Sequence, residues 1–176
     1  MQQSTSRETR RLVVMRHAKA ESSAPSDHER ALAGRGRSDA AEAGRWLRDQ
    51  GVVADAALVS DALRTQETWA ELAAGAGWDV EPEVSSALYA AGPDSAFDLV
   101  RETPDTAQTL VVLGHNPTMA FLAELIDDGE GDEDASTGLV SRGFPTSTVV
   151  VFDITGSWAD LGSGSGTIRG FHVGGS

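Results

Sequence analysis

The sequence predicts a single three-layer α/β domain, with a mostly parallel central sheet and helices on both of its faces. Short apolar runs rich in Val alternate along the chain with longer stretches of helical periodicity, which is typical of strand–helix–strand units. The strongest runs are continuously apolar, which indicates strands covered on both faces. A chain of 176 residues has the length of one domain, and we expect it to span residues 11–176 after a flexible segment at 1–10.

Six runs predict the strands of this sheet. The first, Leu-Val-Val-Met, follows a basic N-terminal stretch. TLVVLG is the strongest strand of the chain. WDVEP gives a short third strand, and TIRGFHV a possible last one. In chain order the predicted strands span residues 12–15, 56–60, 78–82, 109–114, 146–154 and 167–173.

Four stretches between these strands predict helices. In the first, apolar side chains recur on one face, and Gly51 suits its C-terminal cap. Ser60 or Asp61 suits the N-cap of the second helix, and Pro117 suits the first turn of the fourth. The predicted helices span residues 31–51, 60 to about 75, 93–103 and 115–126.

Composition and charge exclude several classes of function. The net charge of −13 disfavours nucleic acid as a partner, since a phosphate backbone requires a basic face. The chain has no Cys, which excludes disulfides, thiol nucleophiles and thiolate metal sites. No apolar run is long enough for a membrane span, and the N-terminal residues lack the apolar region of a signal peptide, so we expect a cytoplasmic protein. Ten of the fourteen Lys and Arg residues lie in the first 48 positions, which favours an anion site in that half.

Three predicted strands lead directly to basic or polar side chains. The first ends in Arg16 and His17, the second leads within one helical turn to Arg64, and TLVVLG ends in His115 and Asn116. Ligands of open α/β sheets bind at the carboxyl ends of the strands, so we expect these side chains to converge. Each alone has an ordinary alternative, because a lone histidine at a strand end is more often structural. Their convergence favours a site.

The expected set of side chains is suited to phosphate chemistry. Arginine binds phosphate through a bidentate fork and keeps its charge at all physiological pH values. Imidazole titrates near neutral pH, so one histidine is available as an unprotonated nucleophile and the other as a donor. Arginines are able to supply the positive charge that other phosphoryl-transfer enzymes take from Mg²⁺, so we expect neither a metal nor a cofactor.

These motifs resemble those of a known family. RHAKAE resembles the short signature of the histidine phosphatase superfamily, which has the phosphoglycerate-mutase-like fold, and SDALRTQET and LGHNPTM follow at the spacing of that family. The similarity runs from about Leu12 to Val173. The small size of the chain and the segment DHERALAGRG are most similar to the SixA-type phosphohistidine phosphatases.

The resemblance implies roles for five residues. His17 would be the nucleophile that becomes phosphorylated, and Arg16, Arg64 and His115 would line the phosphate pocket. Arg30 would be a further phosphate or substrate contact, and we group Lys19 and Asn116 with it as substrate-binding candidates. One departure from the signature is Ala18, which stands where the family usually has Gly; the resemblance assigns no role to Lys19.

No proton donor for the leaving group can be mapped from the motifs, and Asp27, Glu29 and Glu83 are candidates only by default. The missing acid favours P–N over P–O cleavage, because an imidazole with a pKa of about 6.5 leaves far more easily than an alkoxide. We therefore expect a metal-independent phosphatase acting on a phosphohistidine protein. The alternatives are a phosphatase of small phosphoester metabolites and a non-catalytic phosphate-binding module.

Other motifs suggest no further site. The acidic stretch 127–136 fails the EF-hand spacing and is interpreted as a mobile solvated loop. The stretch 162–170 lacks the Lys of a Walker A motif and is interpreted as a flexible connection. His28 and His172 are interpreted as non-catalytic, and the four Trp residues as packing anchors.

Overall fold

The computed structural model describes residues 9–176. Most of the predicted flexible segment, residues 1–8, lies outside the described residues. The first strand begins at Thr9, two residues before the predicted start of the domain at residue 11. Arg10 is buried there, and its guanidinium donates hydrogen bonds to the backbone carbonyls of Gly156 and Asp105. These bonds offset the cost of burying a charge at the beginning of the strand.

Six strands and six helices form the domain. The strands are β1 Thr9–Arg16, β2 Ala56–Ser60, β3 Glu83–Ser85, β4 Thr109–Gly114, β5 Thr148–Thr155 and β6 Gly166–Val173. The helices are α1 Gly34–Asp49, α2 Leu63–Ala76, α3 Ser86–Ala90, α4 Pro93–Arg101, α5 Thr118–Ile126 and α6 Glu133–Arg142. Short 3₁₀ turns lie at Asp27–Glu29 and Trp158–Asp160. Among the described helices, none combines the length and apolar character needed to cross a membrane.

The strands form one mixed sheet in the order β3-β2-β4-β1-β5-β6. The first four are parallel to one another, whereas β5 and β6 pair antiparallel at one side. Alternate residues of β1 face opposite cores: Leu12 and Val14 pack with α4 and α5, and Val13 and Met15 pack with α1 and α2. The predicted α/β class, with a mostly parallel sheet covered on both faces, is confirmed.

Helices α1 and α2 cross closely because each presents a glycine to the other. A Cβ at Gly44 would lie 2.2 Å from the carbonyl oxygen of Leu72, and one at Gly75 would lie 2.2 Å from that of Ala41. Only glycine permits two backbones to approach to this distance. The crossing fixes α2, and with it Arg64 at the start of α2, against the sheet.

Two local predictions near β2 and β3 are wrong. The third strand is not residues 78–82 but Glu83–Ser85; the indole of Trp78 instead donates to the carbonyl of Val52 and stacks on Trp69. Helix α2 begins at Leu63 after Ala62, so neither Ser60 nor Asp61 caps it. Both side chains have tertiary partners instead, and those partners are histidines.

The acidic stretch is not a mobile loop. The backbone N–H groups of Asp128 and Asp132 donate to the carbonyls of Gly166 and Ile168, so the stretch runs along the edge of β6. Asp132 then caps α6 by accepting a hydrogen bond from the N–H of Ala135, and further carboxylates follow in the first turn, where the helix dipole favours them. The interpretation of 162–170 as a flexible connection is also wrong in part, because residues 166–170 lie within β6.

Candidate active site

The carboxyl ends of β1 and β4 bring two histidines together. These strands are parallel neighbours in which Arg16 lies opposite Gly114, and the N–H of His17 donates to the Gly114 carbonyl at 3.0 Å. Because the residue after each of these strands is a histidine, the rings of His17 and His115 lie side by side, with centroids 5.3 Å apart. Arg64 reaches the same place from the start of α2, and its guanidinium contacts the His115 ring.

His17 is buried, with only 7% of its surface exposed, and its neighbours hold it as a neutral imidazole. Nδ1 lies 2.7 Å from the carbonyl oxygen of Ala18, so Nδ1 carries the proton and donates it. The lone pair is then on Nε2. Burial, together with the positive charges of Arg64, Arg16 and Arg30, lowers the pKa of His17 to about 4 against the opposing effect of the Ala18 hydrogen bond. An unprotonated imidazole with a defined tautomer is what a nitrogen nucleophile requires.

His115 is also neutral, but with the opposite tautomer. An Nη2–H of Arg64 donates to its Nδ1 at 3.2 Å, and a guanidinium has no acceptor to offer in return. The proton of His115 is therefore on Nε2, which lies 2.7 Å from the Ser60 hydroxyl and donates to it. Burial, together with His17 and Arg64, lowers the pKa of His115 to about 3.

Arg16 and Arg64 supply the positive charge of the site. Arg16 donates from Nη1 to the Phe144 carbonyl at 3.2 Å. Burial lowers the pKa of Arg16, but the ordinary pKa of arginine is so high that the group remains charged. Arg64 donates from Nη1 to the Asp27 carbonyl at 2.8 Å and from Nη2 to the Asp27 carboxylate at 3.0 Å. The Nε groups of both arginines are buried and find no hydrogen-bond partner among residues 9–176.

Asp27 is a central residue that the motifs indicated only by default. Its carboxylate accepts hydrogen bonds from Tyr89 Oη at 2.7 Å, from Arg64 and from Arg30. The hydrogen bond from Tyr89, followed by those from Arg64 and Arg30, holds the pKa of Asp27 well below its usual range against some desolvation. The carboxylate consequently stays ionised at the pH values where an acid catalyst would need to be protonated.

Thr68 connects Ala18, the residue after His17, to α2. The sequence motifs did not indicate this residue. Its hydroxyl accepts from the N–H of Ala18 at 3.1 Å and donates to the Arg64 carbonyl at 2.6 Å. The available signal was its position four residues after Arg64, which places both on one face of α2. Ser147 was missed as well. It has a φ of 66°, in the left-handed region, and its N–H donates to the His17 carbonyl.

The three substrate-binding candidates differ in the polar contacts of their side chains. Arg30 donates to the Asp27 carboxylate at 3.1 Å and to the Glu21 carbonyl, although its charge still lowers the pKa of His17. The amide of Asn116 donates to the Phe144 carbonyl at 2.7 Å. Lys19 is exposed, and its side chain forms no ion pair within the described part of the chain.

The other two histidines have carboxylate partners. His28 Nε2 lies 2.9 Å from Asp61 Oδ1, and the ring contacts Tyr89 at the mouth of the site. His172 lies far along β6, with Nε2 2.8 Å from a carboxylate oxygen of Glu42. Within residues 9–176, no group of three or more His, Asp or Glu side chains has the arrangement of a metal site.

The chain matches a family model and several known proteins. The model of the histidine phosphatase superfamily (branch 1) matches residues 12–89. A protein of Mycobacterium tuberculosis (strain ATCC 25618 / H37Rv), described as uncharacterized, is 38% identical over 160 residues, which cover 90% of this chain and 99% of that protein.

Two solved structures are similar over most of their length. A candidate phosphohistidine phosphatase SixA of Nakamurella multipartitia is 32% identical, with a TM-score of 0.82 over 96% of this chain and 98% of that one. A candidate SixA of Agrobacterium tumefaciens is 28% identical, with a TM-score of 0.72 over 82% of this chain and 92% of that one. From the motifs, the matched model and these two similarities together, the chain belongs to the histidine phosphatase superfamily.

Proposed function

We propose that the protein is a metal-independent phosphatase that hydrolyses phosphohistidine in a cytoplasmic protein. In the first step, Nε2 of His17 attacks phosphorus as the bond from phosphorus to the substrate imidazole breaks, and that imidazole, protonated on its other nitrogen, leaves as the neutral ring. In the second step, water attacks the phosphorus of phospho-His17 and inorganic phosphate is released. Arg16 and Arg64 neutralise the charge on the phosphoryl oxygens in both steps.

The observation that carries this proposal is the combination of a neutral histidine with two incompletely paired arginines. Nε2 of His17 has its lone pair available, since Nδ1 donates to Ala18. The Nε groups of Arg16 and Arg64 are buried without partners among the described residues, and leaving a buried donor unpaired is costly. A phosphoryl group has three oxygens that accept such donors, so its binding would satisfy them.

The nature of the acidic groups supports P–N cleavage. Asp27 is held ionised, the hydrogen bond to Asp27 raises the pKa of the Tyr89 hydroxyl, and the proton of His115 is donated to Ser60. The other candidates do not help, because Glu29 accepts from Ser26 Oγ, and Glu83 lines a separate cleft of about 260 Å³. An alkoxide leaving group needs a proton from an acid in the transition state. An imidazole with a pKa of about 6.5 depends much less on such an acid.

The test is hydrolysis of a phosphohistidine peptide by EDTA-treated protein, with mass spectrometry of enzyme that is quenched and worked up in alkali, where phosphohistidine is stable. The wild type is expected to release phosphate and to carry a phosphoryl group on His17. His17→Ala is expected to do neither, and His172→Gln serves as the matched control, because that histidine lies outside the site. Equal activity of His17→Ala and wild type would rule out His17 as the nucleophile, and turnover of phosphoesters alone would favour the small-metabolite alternative.

A further inference from the structure

We propose that Tyr89 is the specificity-determining wall of the leaving-group side, and that it selects substrates whose phosphoryl group is attached to a flat ring. The inference deepens the proposed function and rests on it, because it concerns the part of the substrate that departs when His17 attacks. Tyr89 is the only tyrosine of the chain and belongs to none of the three motifs on which the family resemblance rests.

The position of Tyr89 is held from two directions. The residue before it, Leu88, is buried in the core, and the N–H of Leu88 donates to the Ser85 hydroxyl that caps the short helix α3. At its other end, the hydroxyl of Tyr89 donates to Asp27 Oδ2 at 2.7 Å, and Arg64 Nη2 donates to the same carboxylate oxygen. The ring is therefore fixed before any substrate arrives, which reduces the entropy that binding costs.

Four rings form a row that leads outward from the nucleophile. The centroids of His17 and His115 are 5.3 Å apart, those of His115 and Tyr89 are 5.4 Å apart, and those of Tyr89 and His28 are 5.0 Å apart. The row begins at His17, which is buried, and ends at His28, whose side chain is half exposed. Within it Tyr89 contacts His115 on one side and His28 on the other.

In-line displacement fixes where the leaving group must go. The bond that breaks is opposite to the bond that forms, so the departing group points away from Nε2 of His17, and the proposal places it beside the Tyr89 ring. There Tyr89 and His28, at 74° to one another, offer an aromatic corner. A planar leaving group gains stacked or edge-to-face contacts in such a corner, and an alkyl or amino group does not. Imidazole, the leaving group of phosphohistidine, is planar.

The test uses non-hydrolysable phosphonates, so that it reads binding without turnover. Phenylphosphonate carries a ring on phosphorus and methylphosphonate does not, and their dissociation constants are measured by calorimetry. The wild type is expected to prefer phenylphosphonate, and Tyr89→Leu is expected to reduce that preference by about three- to tenfold, the size of one aromatic contact. Phe121→Leu is the matched control, because Phe121 is a half-exposed ring on α5 that forms no part of the row.

A second variant separates the ring from its hydroxyl. Tyr89→Phe keeps the ring and loses only the bond to Asp27, so it is expected to retain most of the preference. An unchanged preference in Tyr89→Leu, or an equal loss of preference in Tyr89→Leu and Tyr89→Phe, overturns the inference.

Kinetics with the phosphoramidates then tie the wall to the reaction. N-phosphoimidazole has a ring and phosphoramidate has none, although both break a P–N bond. The ratio of their kcat/KM values is expected to fall in Tyr89→Leu by the same factor as the phosphonate preference, and an unaltered ratio argues against the inference. Should no variant turn over either compound while the phosphonate preference still follows Tyr89, the proposed function fails and the ring-binding wall remains.

Discussion

The carboxyl ends of β1 and β6 place two histidines in opposite surroundings. At the carboxyl end of β1, His17 lies beside Arg16, Arg64 and Arg30, and these charges add to burial in lowering its pKa to about 4. On β6, His172 stacks on Trp46 with the rings 4.8 Å apart, and its Nε2 is hydrogen-bonded to Glu42. The comparison shows that His17 is surrounded by guanidinium groups where His172 has a carboxylate partner, which are the surroundings that the proposed phosphate chemistry requires.

The placement of acidic residues follows the same rule. The chain has 27 Asp and Glu, and several arginines outside the site pair with one each, as in Arg169–Asp153 and Arg101–Asp98. Arg16 has no carboxylate within salt-bridge distance among residues 9–176. Asp27 is the acid that contacts Arg64, and it is shared with Arg30 and Tyr89. Positive charge is therefore left over for an anion at this edge, although the whole protein is strongly negative.

The largest effect is expected from removing the unpaired cation. Arg16→Gln should lower kcat/KM for a phosphohistidine peptide by about 10²- to 10³-fold, the usual loss when one preorganised donor to a transition-state oxygen is removed. Steady-state kinetics checks this, with Arg169→Gln as the control, because Arg169 pairs with Asp153 on the far strand. A loss below about tenfold would mean that Arg16 does not contact the transferred group.

The pH dependence of stability should distinguish the two histidine environments. Between pH 6.5 and 4.5 the unfolded chain protonates His17, whereas the folded chain, with a pKa of about 4, does not. The unfolded state binds more protons, so stability must rise with pH across this window and fall as the pH decreases. Urea unfolding should show a pH-dependent loss that is about 1 to 2 kcal/mol smaller in His17→Asn than in the wild type.

This window separates the histidine effect from that of Asp27. The lowered pKa of Asp27 contributes stability that is lost only below about pH 4, where the carboxylates of the unfolded chain become protonated. Identical slopes for the wild type and His17→Asn between pH 4.5 and 6.5 would contradict the assignment of a neutral His17. As the pH decreases, the kcat/KM of the wild type should correspondingly fall near pH 4 and not near pH 6.5.

A smaller effect is expected at Thr68, which acts through the backbone next to the nucleophile. Thr68→Val leaves the buried N–H of Ala18 without its acceptor, and we expect kcat to fall about tenfold with little change in KM. Thr68→Ser retains the hydroxyl and should recover most of the rate. A purely structural role would instead lower the thermal stability of Thr68→Val while the kcat of its folded fraction stayed at the wild-type value.

The smallest effect on activity is expected in the acidic stretch 127–136, which lies along β6 on the antiparallel side of the sheet. Asp132→Ala removes the N-cap of α6 and should lower the free energy of unfolding by about 1 kcal/mol without altering kcat/KM. Chemical denaturation and the same peptide assay measure the two quantities. Asp134→Ala, in the first turn of α6 but not at its cap, is the matched control. A change in activity would show that this stretch communicates with the site.

Much of the fold, and the convergence of the candidate site residues, were predictable from local patterns. Continuous apolar runs identify strands that are covered on both faces, and the basic or polar residues that follow them identify the edge at which Arg16, His17 and His115 emerge. The short strand β3 was misplaced, because three residues with polar neighbours give no periodic signal. The acidic stretch was misread as a mobile loop, because its backbone pairing with β6 depends on a partner some 40 residues away along the chain.

By itself, the sequence determined the class of the sheet and the cations that are available at its carboxyl edge, since both follow from residues adjacent along the chain. Only the tertiary structure decided the protonation of those residues. The tautomer of His17 depends on the Ala18 carbonyl, that of His115 on Arg64 and Ser60, and the ionised state of Asp27 on Tyr89. Most of these contacts join segments far apart in sequence, and a proton's position is set by the nearest charges and hydrogen bonds in space.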